Sequence, residues 1–426
     1  MDACSTIDIP PPGPGPGGCG QPAKRRLKVL FFAEAVTLAH VARPVALARA
    51  LDRSRYEVVM ACASRYAGFA QSPDWSSVEI DSISPELFAQ ALANGAPLYG
   101  LDTLKAYVQA DLALIQAQQP DLVVGDFRLS LSVSARLMKR PYLAIANAYW
   151  TPYSPPSFPL PVLPLTRLLP IPAARLLFSL FRPLAFRLHC RPMNQLRALH
   201  GLPSLGADLR RVYTDADHLL VADDPALHPL AGSGQPFSFI GPLAWSPDRP
   251  WPAIDASGLG APTTPMVYVA LGSSGPAAAL AMVLEALATL PVVVMAATAG
   301  KPAPASVPAN ARVFDYLPGD QAAARAAFVV CNGGSLAVQQ ALAAGVPVLG
   351  VASNMDQFLN MAPVVTAGAG QLLRADRLTV ERVRQACLAL LGSAESTAAA
   401  RALAAGMSVL PGAASVFDAA AQQLLG

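Results

Sequence analysis

Short apolar runs alternate with helical segments along this chain, and the pattern starts afresh after a Pro-rich interruption; nothing else in the sequence constrains the fold as much. The run KVLFFA (Lys28 to Ala33) is followed by a segment, Ala39 to Leu51, with Val41, Val45, Ala48 and Leu51 at helical spacing. Similar runs recur at YEVVMA from Tyr56, at DLVVGD (Asp121 to Asp126) and at PYLAIAN (Pro141 to Asn147), with a helical segment through Ser132 and Arg136. Runs that are apolar throughout, rather than at every second residue, suit strands buried on both faces, and their alternation with helices predicts a doubly wound parallel sheet. Pro44 fits the first helix only in its opening turn, where a missing N–H goes unnoticed.

The pattern pauses over WSPDRPWPAIDASGLGAPTTP (Trp245 to Pro265) and resumes with MVYVALGS (Met266 to Ser273). Further runs follow at Pro291 to Ala297, Arg312 to Tyr316, Phe328 to Asn332 and Val346 to Ala352. A chain of 426 residues is too long for one ordinary core. The predicted organisation is a Pro/Gly-rich disordered tail (1–25), an N-terminal Rossmann-like domain (26–245), a linker (246–264), a second Rossmann-like domain (265–410) and a C-terminal helix (411–426) packing back on the first domain. Open parallel sheets bind ligands beyond the carboxyl ends of their strands, so two such domains face each other across a cleft.

The balance of charge narrows the function. With 53% hydrophobic and 14% charged residues, a formal charge of +3 and no block of Lys or Arg, the chain lacks the electrostatic footprint of a nucleic-acid binder. The six cysteines have no paired spacing and read as buried free thiols. The N-terminal residues have no apolar core of signal-peptide length, and the apolar stretches are broken before the ~18 to 20 residues that span a bilayer, so a soluble, cytoplasmic protein is expected.

The chemistry-bearing residues lie at the ends of the runs. Gly333 and Gly334 end one strand and open a helix, where unhindered N–H groups and a positive helix end suit a diphosphate, although such a pair is more often only a tight connection. Asp356 and Gln357 follow the next strand and suit sugar hydroxyls. Tyr316 stands at a strand end, where an aromatic side chain can close the core. Near the first strand, His40 is a candidate proton acceptor that Asp126 would orient. The alternatives are a capping or solvated His40, Asp126 as a helix N-cap, and Glu34 as a rival base.

The segment from Cys331 to Met361 resembles, without a gap, the nucleotide-sugar signature of the family 1 glycosyltransferases, the UDP-glycosyltransferase superfamily that includes the macrolide enzymes. Gly345-Val346-Pro347 and Asp356-Gln357-x-x-Asn360 stand where that signature has them. The resemblance implies two Rossmann-like domains facing a central cleft, the GT-B fold, with acceptor in the N-terminal and nucleotide-sugar in the C-terminal domain. It implies that Asp356 and Gln357 hold the donor sugar, that Gln340 faces the ribose, and that the Gly333/Gly334 turn with Ser335 holds the diphosphate. Tyr316 and Leu317 stand at the family's base-reading loop, and Ser273 at its turn near the donor phosphates. His40 and Asp126 match its catalytic pair, which implies inversion without a metal and no cofactor beyond the UDP- or dTDP-sugar. Departures are equally plain: Asn332 replaces a phosphate-contacting His, Gln340 a Glu, and Leu336-Ala337 an Asn/Gly-Ser/Thr pair; Pro44 lies one position late.

The stretch from Tyr149 to Gly201 is apolar, Pro-rich and sprinkled with Arg. It falls where the family binds its acceptor, so Phe158, Phe178 and Phe181, with Leu168, are expected to line a lipophilic site for a natural product or lipid. A membrane-surface reading would turn Arg182, Arg187 and Arg191 to anionic head groups, and internal helix packing is the third reading. Asp215 and Asp217 (TDADH) have metal-bridging spacing but read as surface turn residues. A sugar-nucleotide epimerase and a catalytically inactive nucleotide-sugar binder remain as alternatives. A dinucleotide-dependent dehydrogenase lacks its Gly-x-Gly-x-x-Gly fingerprint.

Overall fold

The computed structural model describes residues 25–232, 234–252, 263–272 and 277–426; residues 1–24 of the expected tail and the candidate Ser273 lie outside these. Thirteen strands form two all-parallel sheets among the described residues. The first comprises β1 (Leu27–Ala33), β2 (Tyr56–Cys62), β3 (Ser76–Glu79), β4 (Leu122–Asp126), β5 (Tyr142–Ala146), β6 (His218–Val221) and β7 (Phe237–Phe239), in the order β3-β2-β1-β4-β5-β6-β7. The second comprises β8 (Met266–Ala270), β9 (Val293–Ala297), β10 (Ala311–Phe314), β11 (Phe328–Cys331), β12 (Val348–Ala352) and β13 (Gly370–Arg374), in the order β10-β9-β8-β11-β12-β13.

Continuous apolar runs form these strands because both faces are covered. Along β1, Val29, Phe31 and Ala33 enter one core cluster while Leu30 and Phe32 enter another on the opposite face. Along β8, Val267 and Val269 face one cluster and Tyr268 the other. The last helix, Ala413–Leu425, lies on the first domain: Phe417 is fully buried, its ring 6.5 Å from that of Phe31, and Asp418 accepts from the Tyr56 hydroxyl at 2.7 Å and pairs with Arg55.

Pro44 departs from expectation. It is the sixth residue of the helix Ala39–Ala50, so the His40 carbonyl has no N–H at position 44 to accept from. Burial of Val41, Val45, Leu47 and Ala48 carries the helix through. Among the described residues, no single helix is long and apolar enough to cross a membrane.

Candidate active site

The strand order of each sheet reverses at one place, and the candidate residues converge there. In the first sheet the reversal lies between β1 and β4, where Ala33 pairs in register with Asp126. The chain leaving β1 brings His40 to the end of β4: the His40 Nδ1 lies 2.8 Å from Asp126 Oδ1, and Asp126 is wholly buried. Asp126 caps no helix, since the next one, Leu131–Leu137, begins after Ser130. Phe127 follows in a left-handed conformation (φ 60°) and stacks its ring on His40 at 4.8 Å and 15°. A non-glycine held there is strained, a cost that the packing around Phe127 outweighs.

Arg43, one turn along the same helix, completes the cluster. Its Nε and Nη2 each donate to Asp126 at 2.7 Å, Nη1 donates to Asn147, and Nη2 stands 3.0 Å from His40 Nδ1. Burial works against the guanidinium charge, yet the Asp126 carboxylate outweighs it and holds the Arg43 pKa above its ordinary value. Sequence reasoning passed over Arg43, because an Arg in a helix ordinarily faces water.

Glu34 is no rival base. It is fully buried, accepts from Tyr107 (2.8 Å), Tyr99 (3.3 Å) and Arg128 Nη1 (3.0 Å), and is absent from the cleft lining. Burial raises its pKa although Arg128, shared with Asp111, pulls the other way. Asp215 and Asp217 are not free turn residues either: Asp215 pairs with Arg136 and Arg197, and Asp217 accepts from the Tyr142 N–H at 2.9 Å.

In the second sheet the reversal lies between β8 and β11. Gly272 follows β8 at φ 66°, and a Cβ there would come within 3.1 Å of Asn332 Nδ2, so the two turns touch. Gly333 has φ 80°, and a Cβ on it would meet Met361 at 2.9 Å. Its carbonyl accepts from Asn360 Nδ2 at 2.8 Å, which ties the turn to the neighbouring helix Met355–Thr366. Asn332 Oδ1 accepts from the Gly334 N–H at 3.0 Å, and the helix Ser335–Ala343 opens toward the cleft with first-turn N–H groups that have no partner inside the helix.

The two glutamines expected at the sugar and ribose each use one amide atom within the protein. The Gln357 Oε1 accepts from the Ser353 N–H at 2.7 Å and closes a capping box with Asn354. The Gln340 Nε2 donates to the Trp245 carbonyl and to Ser246, in the segment that joins the domains. Asp356 is half-buried and accepts from Trp150 Nε1 at 2.7 Å across the domain interface. Tyr316 leans on Phe69 of the first domain, ring centroids 5.0 Å apart, and with Leu317 it reaches the cleft.

The cleft between the sheets measures about 600 Å³. His40, Asp126, Tyr316, Leu317, Asn332, Gly334, Ser335, Gln340, Asp356 and Gln357 line it, as do Phe178 and Phe181. Phe158 does not: it packs edge-on against Phe186 under the Arg182 guanidinium, 4.2 Å away. Leu168 is 82% exposed and also off the cleft. The helix that carries Phe178 turns one face inward, whereas Phe158 precedes it on a loop whose direction no periodicity fixes. Phe88 and Leu92 of the helix Pro85–Asn94, together with Trp150 and Tyr213, are lining residues that sequence reasoning missed, since their pattern is that of any amphipathic segment.

Over 386 residues the chain is 52% identical to a PGL/p-HBAD biosynthesis rhamnosyltransferase of Mycobacterium bovis (strain BCG / Pasteur 1173P2), covering 90% of this chain and 84% of that one. This chain is a family 1 glycosyltransferase. It is also 49% identical to a PGL/p-HBAD biosynthesis glycosyltransferase of Mycobacterium tuberculosis (strain ATCC 25177 / H37Ra), over 95% of both chains. The domain family described as Erythromycin biosynthesis protein CIII-like, C-terminal domain, matches residues 281–422. The glycosyltransferase shares its GT-B fold with the glycotransferase of kitacinnamycin (TM-score 0.70, 19% identity, 94% of this chain and 100% of that one). It shares it likewise with the spinosyn rhamnosyltransferase SpnG complexed with thymidine diphosphate (TM-score 0.64, 20% identity, 93% and 100%). One departure from the family signature has a local cause: Leu336, where the signature has Asn or Gly, packs against the core cluster of the N-terminal domain.

Proposed function

We propose that this glycosyltransferase transfers a deoxyhexose, with rhamnose the first to test, from a UDP- or dTDP-sugar to a hydroxyl of a small lipophilic acceptor, inverting the anomeric centre without a metal. The relatives are named for PGL/p-HBAD biosynthesis, and a place in the same biosynthesis is part of the proposal. The observation that carries the chemistry is the His40–Asp126 pair at the cleft wall. With the Nδ1–H donated to Asp126, the Nε2 lone pair accepts the acceptor's hydroxyl proton. The oxygen then bonds to the anomeric carbon as the bond to the nucleotide diphosphate breaks, and the first turn of the helix Ser335–Ala343 receives the departing charge.

Metal independence is supported by what the carboxylates already do. Among the described lining residues only Asp126 and Asp356 are acidic; the first is neutralised by Arg43 and the second is bonded to Trp150. The unpaired state of the four described cysteines suits a cytoplasmic setting.

The test begins with thermal shifts in UDP, dTDP and GDP; a nucleotide at a hundred times its Kd adds about 2.7 kcal/mol to the folded state. Transfer from the matching sugar nucleotide to a lipophilic alcohol is then followed with and without chelator, and the product anomer is read by NMR. His40→Ala should lower kcat by about 10²- to 10⁴-fold while leaving the nucleotide shift intact. A retained anomer, or loss of turnover in chelator, would sink the mechanism; nucleotide binding without turnover in the wild type would favour a binding role.

A further inference from the structure

The helix Ile171–Leu199 has two apolar faces along its first half, and the cleft covers only one of them. Phe178, Ala185, Phe186 and His189 line the cleft. On the opposite side Leu176, Leu180, Leu184 and Leu188, one turn apart, are 72%, 69%, 58% and 49% exposed. Leu177 and Phe181 are both exposed and part of the cleft lining, so apolar surface runs unbroken from the outer ridge into the site. Monomeric proteins rarely leave a contiguous apolar ridge of this kind in water.

The charges on the helix indicate what covers it. All 29 residues include five arginines and no Asp or Glu. Arg187 and Arg191 are exposed on the same side as the leucine ridge, just beyond it, while Arg182 turns inward over Phe158 and takes no part. We infer that this face rests on an anionic lipid surface, with the leucines entering the acyl boundary and Arg187 and Arg191 meeting head-group phosphates. A lipophilic acceptor then passes from the bilayer along Leu177 and Phe181 to His40 without crossing bulk water, a route that rests on the acceptor reading above. A second copy of the chain is the poorer occupant, because pairing would bring together two arginine-bearing faces that hold no acids.

The test uses the full chain and the double variant Leu180→Glu/Leu184→Glu, neither residue being part of the cleft lining. Sedimentation with vesicles of phosphatidylglycerol and phosphatidylcholine should pellet the wild type, less so at high salt, and vesicles of phosphatidylcholine alone should pellet it weakly. The double variant should lose at least about tenfold in partitioning, since two buried leucines are exchanged for charges. Its nucleotide-induced thermal shift and its turnover of a short soluble acceptor should match the wild type, whereas transfer to a vesicle-embedded acceptor should fall with partitioning. Vesicle binding by a wild type that shows no transfer would uphold the lipid face and reject the acceptor reading. Wild-type protein left in the supernatant with anionic vesicles overturns the proposal. So does a wild-type dimer that the double variant converts to a monomer while neither binds vesicles.

Discussion

Arg43 sets the charge around the imidazole, and replacing it separates two effects. Its guanidinium supplies two of the three short hydrogen bonds that the buried Asp126 accepts and stands 3.0 Å from His40 Nδ1. In Arg43→Met the positive charge is gone while Asp126 remains, so the imidazolium formed on accepting a proton gains a carboxylate that no cation offsets. Two unit charges about 4 Å apart interact by about 4 kcal/mol at an effective dielectric constant near 20. At about 1.36 kcal/mol per pH unit that bounds the displacement of the acidic limb at about three units, and solvent exposure of the ring reduces it. The sign is fixed: losing a neighbouring cation favours the protonated base, so the acidic limb of the kcat/KM profile moves to higher pH. Arg43→Met also leaves Asp126 buried with His40 as its remaining ionisable partner, at a cost of about 3–5 kcal/mol in stability. Arg43→Lys keeps the charge, and its limb should stay near the wild type's. The assay is kcat/KM against pH for all three proteins, with urea unfolding alongside. A folded Arg43→Met enzyme whose acidic limb does not move would refute the assignment.

Three further outcomes follow from the geometry. Arg128→Met strands Glu34 and Asp111 and should cost about 3–5 kcal/mol in urea unfolding, whereas Glu34→Gln leaves the Arg128–Asp111 pair and should cost less than about 1.5 kcal/mol. Because burial raises the Glu34 pKa above its ordinary 4.5, its contribution is full below that value and is lost as pH rises through the folded-state pKa; Glu34→Gln should flatten that decline. Gly333→Ala, forced to φ 80° against Met361, should lose about 1–2 kcal/mol of stability and raise Kd for the nucleotide, read by calorimetry. Trp150→Phe removes the N–H that Asp356 accepts and should raise the donor KM by about 10- to 100-fold with a smaller change in kcat, on the about 1.5–3 kcal/mol worth of a hydrogen bond to a charged group.

Much of the frame was legible in the chain alone. Runs such as DLVVGD and FVVCN are apolar on both sides of the pleat, which only a doubly covered parallel sheet allows, and residues at strand ends are where such sheets carry ligands. His40, Asp126 and the Gly333-Gly334 turn were found that way. The short edge strands β3 and β7 were not, since segments like SSVE lack the periodicity or length that distinguishes a strand from a loop. Nor were β6 (HLLV) and β13 (GQLLR) read as strands.

What the sequence by itself determined was the order of elements and the chemistry placed at their ends. Tertiary structure alone decided which partners the polar groups take: Glu34 was taken into a buried ion pair, the Gln357 Oε1 into a cap and the Gln340 Nε2 into the linker, while Arg43 joined Asp126 beside His40. The reason is that burial and pairing depend on partners distant in the chain, such as Arg128 for Glu34 and Trp245 for Gln340, and a one-dimensional pattern does not encode their approach. The same holds for the helix Ile171–Leu199, where the sequence showed an apolar, Arg-sprinkled stretch and only the packed structure showed which of its faces the cleft covers.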